Sequence, residues 1–221
     1  MNTTSYQSTT VVNPLLASKV LRNTYMLLGM LFVVSAGVAW VAQMMQWRIG
    51  FFPMLIGLFA FSYLIVKTRN SSWGIVSGFG FSAFLGLITG GNVAAMLAQY
   101  ANGGELVVIA FATTAFSFFA ISAYAMVAKR DYSNMVSMLS VGTIVVIVAI
   151  IANYFLQIPA LGLAVSSIAV LLSMGWMLWQ TQRIVRGGET NYIIAATGLL
   201  ADIFVMFNHL LALLGFGFGD D

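Results

Sequence analysis

Two ionisable residues lie where an apolar run should exclude them. Asp202 and His209 fall inside one long hydrophobic segment near the C-terminus. They are seven residues apart, so on a helix they share a face with two turns between them. A carboxylate near mid-membrane costs at least about 2.5 kcal/mol on insertion scales. Such groups normally face a bundle interior, take a partner and mark gates, ion sites or proton-sensing positions. Asp202 is therefore the first candidate for a gate, ion or closure site. The plainer alternative is a hydrogen-bonded acid that locks helix packing. His209 lies about two turns from the end of its segment, where an interfacial polar residue is commoner than a titrating switch. Asn153 is expected to satisfy a neighbouring backbone or side chain. Gln180 is a candidate partner for Asp202, which spacing permits without favouring. With a sixth helix ending at Arg186 and a seventh starting near Thr190, the two depths differ by about 9 Å for upright helices.

Other chemistry finds little support. The chain has no cysteine, hence no disulfide, thiolate metal site or cysteine nucleophile. A lone histidine does not build a zinc site. There is no paired-acid metal motif, no glycine-rich phosphate loop after a strand, and no Ser-His-Asp set at a shared depth. Ser166 or Ser167 with His209 could be forced into a proteolytic role, but neither serine has a GxSx setting. No enzyme, cofactor or metal site is expected.

The elements that position these residues follow from composition. Of 221 residues, 61% are hydrophobic and 7% charged, and the mean hydropathy is +0.97. A soluble domain carries about 25% charged residues. These values exclude a soluble enzyme, a nucleic-acid-binding domain and a disordered chain. The net charge of +3 comes from Lys and Arg placed between apolar runs, so the lipid bilayer is the expected partner and nucleic acid is not. The fold class is an all-α integral membrane protein.

A spanning helix needs roughly 20 mainly apolar residues. Seven stretches qualify, at about 25–45, 49–66, 73–97, 105–128, 133–156, 161–182 and 191–216. Residues 19–221 form this transmembrane domain. Residues 1–18, uncharged and rich in Ser, Thr and Asn, read as a flexible tail and not as a signal peptide. Gln157 to Pro159 reads as a tight turn. Gly187 and Gly188 suit a helix C-terminus, and Thr190 suits the N-cap of the last span. The Lys and Arg of the connections split eight to one, with Arg48 alone on the minority side. That asymmetry predicts a multi-pass cytoplasmic-membrane protein with its N-terminus inside and its C-terminus outside.

Gly74 and Gly78 are four apart in the third span, as are Gly86 and Gly90. Small residues at that spacing let backbones approach closely. Packing inside one bundle is the commoner use, and homo-oligomerisation is the sharper alternative.

Three stretches carry a resemblance. They are Val20-Leu21-Arg22-Asn23-Thr24-Tyr25, Gly187-Gly188-Glu189-Thr190-Asn191-Tyr192-Ile193, and Asn153 followed by Phe155-Leu156-Gln157-Ile158-Pro159-Ala160-Leu161. The chain resembles the bacterial YccA-like branch of the Bax inhibitor-1 family over nearly its whole length. The resemblance implies a seven-helix bundle with the last helix at its centre. It also implies a modulator of the FtsH membrane protease: a slowly processed substrate that occupies the protease and its accessory membrane proteins. The alternative it carries is a pH-sensitive calcium leak channel, closed by two hydrogen-bonded aspartates, with calcium as the only ion implied. One family aspartate matches Asp202 in Leu199-Leu200-Ala201-Asp202. The other falls at Gln180 in Trp179-Gln180-Thr181-Gln182. The resemblance therefore pairs Gln180 with Asp202 but leaves a single titrating group where two carboxyls would share a proton.

Overall fold

A computed structural model describes residues 14–219, and every described element is an α-helix. In chain order they are α1 (Pro14–Met44), α2 (Phe51–Thr68), α3 (Ser72–Gln99), α4 (Gly103–Val127), α5 (Met135–Leu156), α6 (Pro159–Val185) and α7 (Tyr192–Phe218). All seven are long and apolar enough to cross a membrane. Lipid offers the backbone no hydrogen bonds, so each span must satisfy its own N–H and C=O groups, and the helix does that.

The ends of the helices show local chemistry at work. α1 starts at Pro14, whose fixed φ suits a first helical position. Residues 14–18 of the expected tail are therefore helical, and residues 1–13 lie outside the described residues. Pro53 sits in the first turn of α2, where no intrahelical donor is needed. α5 ends on Gln157 in the left-handed region (φ 52°), and α6 restarts at once with Pro159 in its first turn. Asn153 braces this turn by accepting from the Ile158 N–H at 3.1 Å.

α6 closes with paired bonds, Gly188 N–H to Arg183 O at 2.8 Å and Gly187 N–H to Ile184 O at 3.0 Å. Gly187 has a φ of 71°, which costs a glycine little. The last helix is capped differently from the expectation. Asn191, not Thr190, is its N-cap, and its side-chain oxygen accepts from the N–H groups of Ile193 and Ile194. Glu189 explains the shift, because its Oε1 accepts from the N–H groups of both Thr190 and Asn191. The first orphan donors before the helix are thus already bound one residue upstream.

The bundle has two three-helix groups. α1 and α2 flank α3, α4 and α5 flank α6, and α7 lies between the groups against every helix except α5. Its buried face includes Ile193, Ala196, Leu199, Leu200, Ile203, Met206 and Leu211. The glycines of α3 permit close approach. A Cβ at Gly86 or Gly90 would collide with the α1 backbone at Ser35 or Ala39, and one at Gly78 would sit 3.4 Å from Thr197 of α7. A Cβ at Gly74 would sit 2.8 Å from the Thr68 carbonyl of α2. All four glycines therefore face neighbours within the same chain. Lys19, Arg22, Lys67, Arg69, Lys129, Arg130, Arg183 and Arg186 mark one end of the bundle, called here the basic end.

Candidate functional site

Asp202 and Gln180 meet. The Gln180 Nε2 donates to Asp202 Oδ2 at 2.5 Å, joining α6 to α7 in a half-buried setting. Spacing permits this contact without favouring it, and side-chain direction makes up the difference in depth. On any α-helix the Cα–Cβ bond tilts toward the N-terminus. α6 runs toward the basic end and α7 away from it, so Gln180 leans away from that end and Asp202 leans toward it. The two side chains close the axial gap between their Cα atoms. Gly198, one turn before Asp202, opens the passage: a Cβ there would fall on Gln180 Oε1.

A cavity of about 210 Å³ lies on the basic-end side of Gln180, lined by that residue with Trp176, Trp179, Arg183, Glu189 and Gly198 among others. Arg183 borders it through an ion pair to Glu189 at 3.4 Å and lies over the Trp179 ring at 5.1 Å. Trp176 is held by donating to Thr143 Oγ1 of α5 at 2.9 Å.

Gln182, two residues on, points elsewhere. Its Nε2 donates to Arg130 O at 2.6 Å, and its Oε1 accepts from the Tyr132 N–H at 2.9 Å. Arg186 also donates to the carbonyls of Lys129 and Arg130, and pairs with Asp131 at 3.5 Å. The α4–α5 connection is therefore tied to the end of α6. The Ser133 N–H, donating to Asp131 Oδ1 at 2.9 Å, holds the Asp131 carboxyl below its usual range, with Arg186 adding to the effect.

A second amide pair lies further along α7. Asn92 Nδ2 of α3 donates to Asn208 Oδ1 at 2.8 Å, and Asn208 Nδ2 reaches Thr89 Oγ1 at 3.3 Å and Phe204 O at 2.9 Å. α7 is thus fastened to α6 by Gln180–Asp202 and to α3 by Asn92–Asn208. His209 Nδ1 lies 3.1 Å from Ser166 Oγ of α6. His209 and Asp202 therefore share the face that meets α6.

The sequence reading passed over Asn92, Asn208, Gln182 and Gly198. The two asparagines carried the same signal as Gln180, an amide inside an apolar run. Gly198 carried one too, as a small residue one turn from a buried acid.

A family model described as an inhibitor of apoptosis-promoting Bax1 matches residues 17–219. The chain belongs to the Bax inhibitor-1 family. It is 39% identical over 203 residues to the "Modulator of FtsH protease YccA" of Escherichia coli K12, covering 91% of this chain and 92% of that protein. It is 40% identical over 205 residues to an uncharacterized protein of Pseudomonas aeruginosa, covering 92% of each. An uncharacterized membrane protein of Vibrio cholerae is 37% identical over an alignment of 227 positions, covering 97% of each chain. In this member of the Bax inhibitor-1 family, the central last helix carries both the acid and the amide that fasten it.

Proposed function

We propose that the chain modulates an FtsH-type protease in the bacterial inner membrane, as a slowly processed substrate that occupies the enzyme. The observation that carries this reading is the 39% identity, over 91% of the chain, to a protein named a modulator of FtsH protease. Proteases of this type engage an unfolded end on the cytoplasmic side. The uncharged Ser- and Thr-rich residues ahead of α1 suit that role, with the N-terminus inside. A bundle fastened at two points on its central helix resists extraction, and resistance is what makes a substrate slow. The test is affinity purification from native membranes, with the protein's lifetime followed after deletion of Asn2 to Asn13. Co-purification of the protease and a longer lifetime are expected. An unchanged lifetime, with the protease active on a control substrate, sinks the reading.

The second reading is a calcium leak, favoured by the meeting of Gln180 and Asp202 where the family pattern places two acids. A calcium ion takes six to eight oxygen ligands, and one carboxylate with one amide oxygen falls well short. A Gln amide satisfies an ionised acid through its N–H and a protonated one through its oxygen, so closure should depend weakly on pH. In vesicles holding a calcium dye, low and nearly pH-independent flux is expected, and Gln180→Asp should add a clear pH dependence. Steep pH-gated flux in the natural sequence would put the leak first.

A further inference from the structure

Four buried side-chain oxygens among the described residues have no hydrogen-bond partner in the protein: the hydroxyls of Thr24, Tyr25, Ser122 and Thr181. Thr24 and Thr181 are 0% exposed and Ser122 is 2% exposed. A membrane helix gives a hydroxyl an easy acceptor, the carbonyl four residues back. Ser77, Thr114, Thr143 and Thr197 all take it, at 2.7–2.8 Å. The side chains of Thr24, Ser122 and Thr181 leave the matching carbonyls of Val20, Phe118 and Met177 unused. Their hydroxyls are turned into the bundle instead.

All four lie near the basic end, on three helices that meet there. Ser82 of α3 donates to the Leu31 carbonyl of α1, and Gly78 of α3 lies against Thr197 of α7. These three helices run the same way, so Thr24, two turns before Leu31, is level with the first turn of α7. The Gln180 amide lies at Gly198 and leans away from the basic end, so the neighbouring Thr181 backbone is level with that turn too. α1 and α6 pack on each other directly. Thr181 shares a face of α6 with Met177 and Ile184, and Thr24 shares one of α1 with Leu27, Leu28 and Leu31. Those residues belong to one core cluster. The backbones of α1 and α4 do not approach each other, and a cavity of about 660 Å³ separates them. Toward the basic end the Tyr25 and Phe118 rings close it, their centroids 6.0 Å apart. Ser122 follows Phe118 by one turn, beyond that closure, and the Tyr25 side chain leans the same way. The hydroxyls are thus shut off from lipid.

We infer that the hydroxyls of Thr24, Tyr25, Ser122 and Thr181 form an internal site for ordered water, which bridges α1, α4 and α6 at the basic end of the bundle. A buried water makes about three hydrogen bonds to groups that otherwise lack them, and hydroxyls offer it both donors and acceptors. None of the four groups carries a charge. A cation in this apolar cluster would lack a counter-charge, whereas water bears no such cost. The bridge ties α1 to α4 where no backbone contact does.

Thermal unfolding of the full chain in a fixed detergent tests this by sign. Valine has the shape of threonine without the hydroxyl. Were the Thr181 hydroxyl simply unpaired, Thr181→Val would leave the melting temperature unchanged or raise it. With shared water it strips the water of a partner, and the melting temperature should fall by at least about 2 °C. Thr24→Val should do the same. The double variant should lose less than the two losses added, because one network is broken only once. Radiolytic footprinting is the second readout, since water held beside a side chain forms the radical that oxidises it. Tyr25 should be oxidised in the natural chain and several-fold less in the double variant. The inference is overturned if either valine variant leaves the melting temperature unchanged or raises it, if the losses simply add, or if Tyr25 oxidation is the same in the double variant. Melting temperatures in sodium, potassium and choline chloride at one ionic strength should coincide. A rise confined to sodium or potassium would give the site to a cation and overturn water as its occupant.

Discussion

Gly198 and Gln180 are in contact across α6 and α7, and that contact decides whether Gln180 can reach Asp202. A Cβ at 198 would occupy the place of the Gln180 amide oxygen. Glycine inside a helix costs about 1 kcal/mol relative to alanine, so the chain accepts a local penalty to admit the amide.

Gly198→Ala should therefore lower the melting temperature despite its better helix propensity. It displaces Gln180 and breaks its bond to Asp202, of the order of 1 kcal/mol. In a Gln180→Ala background the same substitution should be neutral or stabilising. Thermal unfolding of the four chains of this double-mutant cycle reads the coupling, expected at about 0.5–3 kcal/mol. Additive effects would separate Gly198 from the pair.

Asp202→Ala should cost about 1–3 kcal/mol, because it leaves a half-buried Gln180 amide without its acceptor. Asp202→Asn keeps the shape and an acceptor oxygen, and should cost less. Denaturation in a fixed detergent ranks the two, and equal losses would argue against the bond as the cause.

Asn191→Ala should cost about 1 kcal/mol as a lost N-cap. It should cost more in full, since Asn191 Nδ2 also donates to Arg69 O at 2.8 Å and to Asn70 Oδ1 at 3.2 Å in the α2–α3 connection. Asn191→Ser restores the cap but not those bonds. Its stability should fall between the natural chain and the alanine variant.

Asp131 should add a part of stability that depends on pH. Its folded carboxyl titrates below the ordinary value, so its contribution is present above about pH 4 and is lost as pH falls through the lowered folded value. Acid should therefore destabilise the natural chain more than Asp131→Asn. Melting temperatures at about pH 6 and about pH 3 check this, and parallel losses would remove Asp131 from the account.

The eight-to-one division of Lys and Arg predicts that residue 221 lies outside the cytoplasm and the loop around Asn70 within it. Reporters active only outside should light up at 221 and stay silent at 70. The reverse pattern would invert the bundle.

The seven spans were legible in the sequence because membrane insertion is a local decision. Each run of about 20 apolar residues settles its own fate by its own transfer energy, and the short polar breaks between runs are as local. The odd acid Asp202 stood out for the same reason, its cost being large against an apolar background. The turn at Gln157–Pro159 and the glycine end of α6 needed only the residues beside them. Neighbour choice was not legible. In lipid, one apolar helix face attracts another no more than it attracts acyl chains, so pattern carries little information about partners. Only the packed bundle turned Gly86 and Gly90 toward α1, set Asn92 against Asn208, and left α1 and α4 apart with a groove between them. The Gln180–Asp202 bond lies between these cases. The residues were visible as polar, but the axial gap of several ångströms closes only because antiparallel helices tilt their side chains toward each other, over a glycine that leaves the way open.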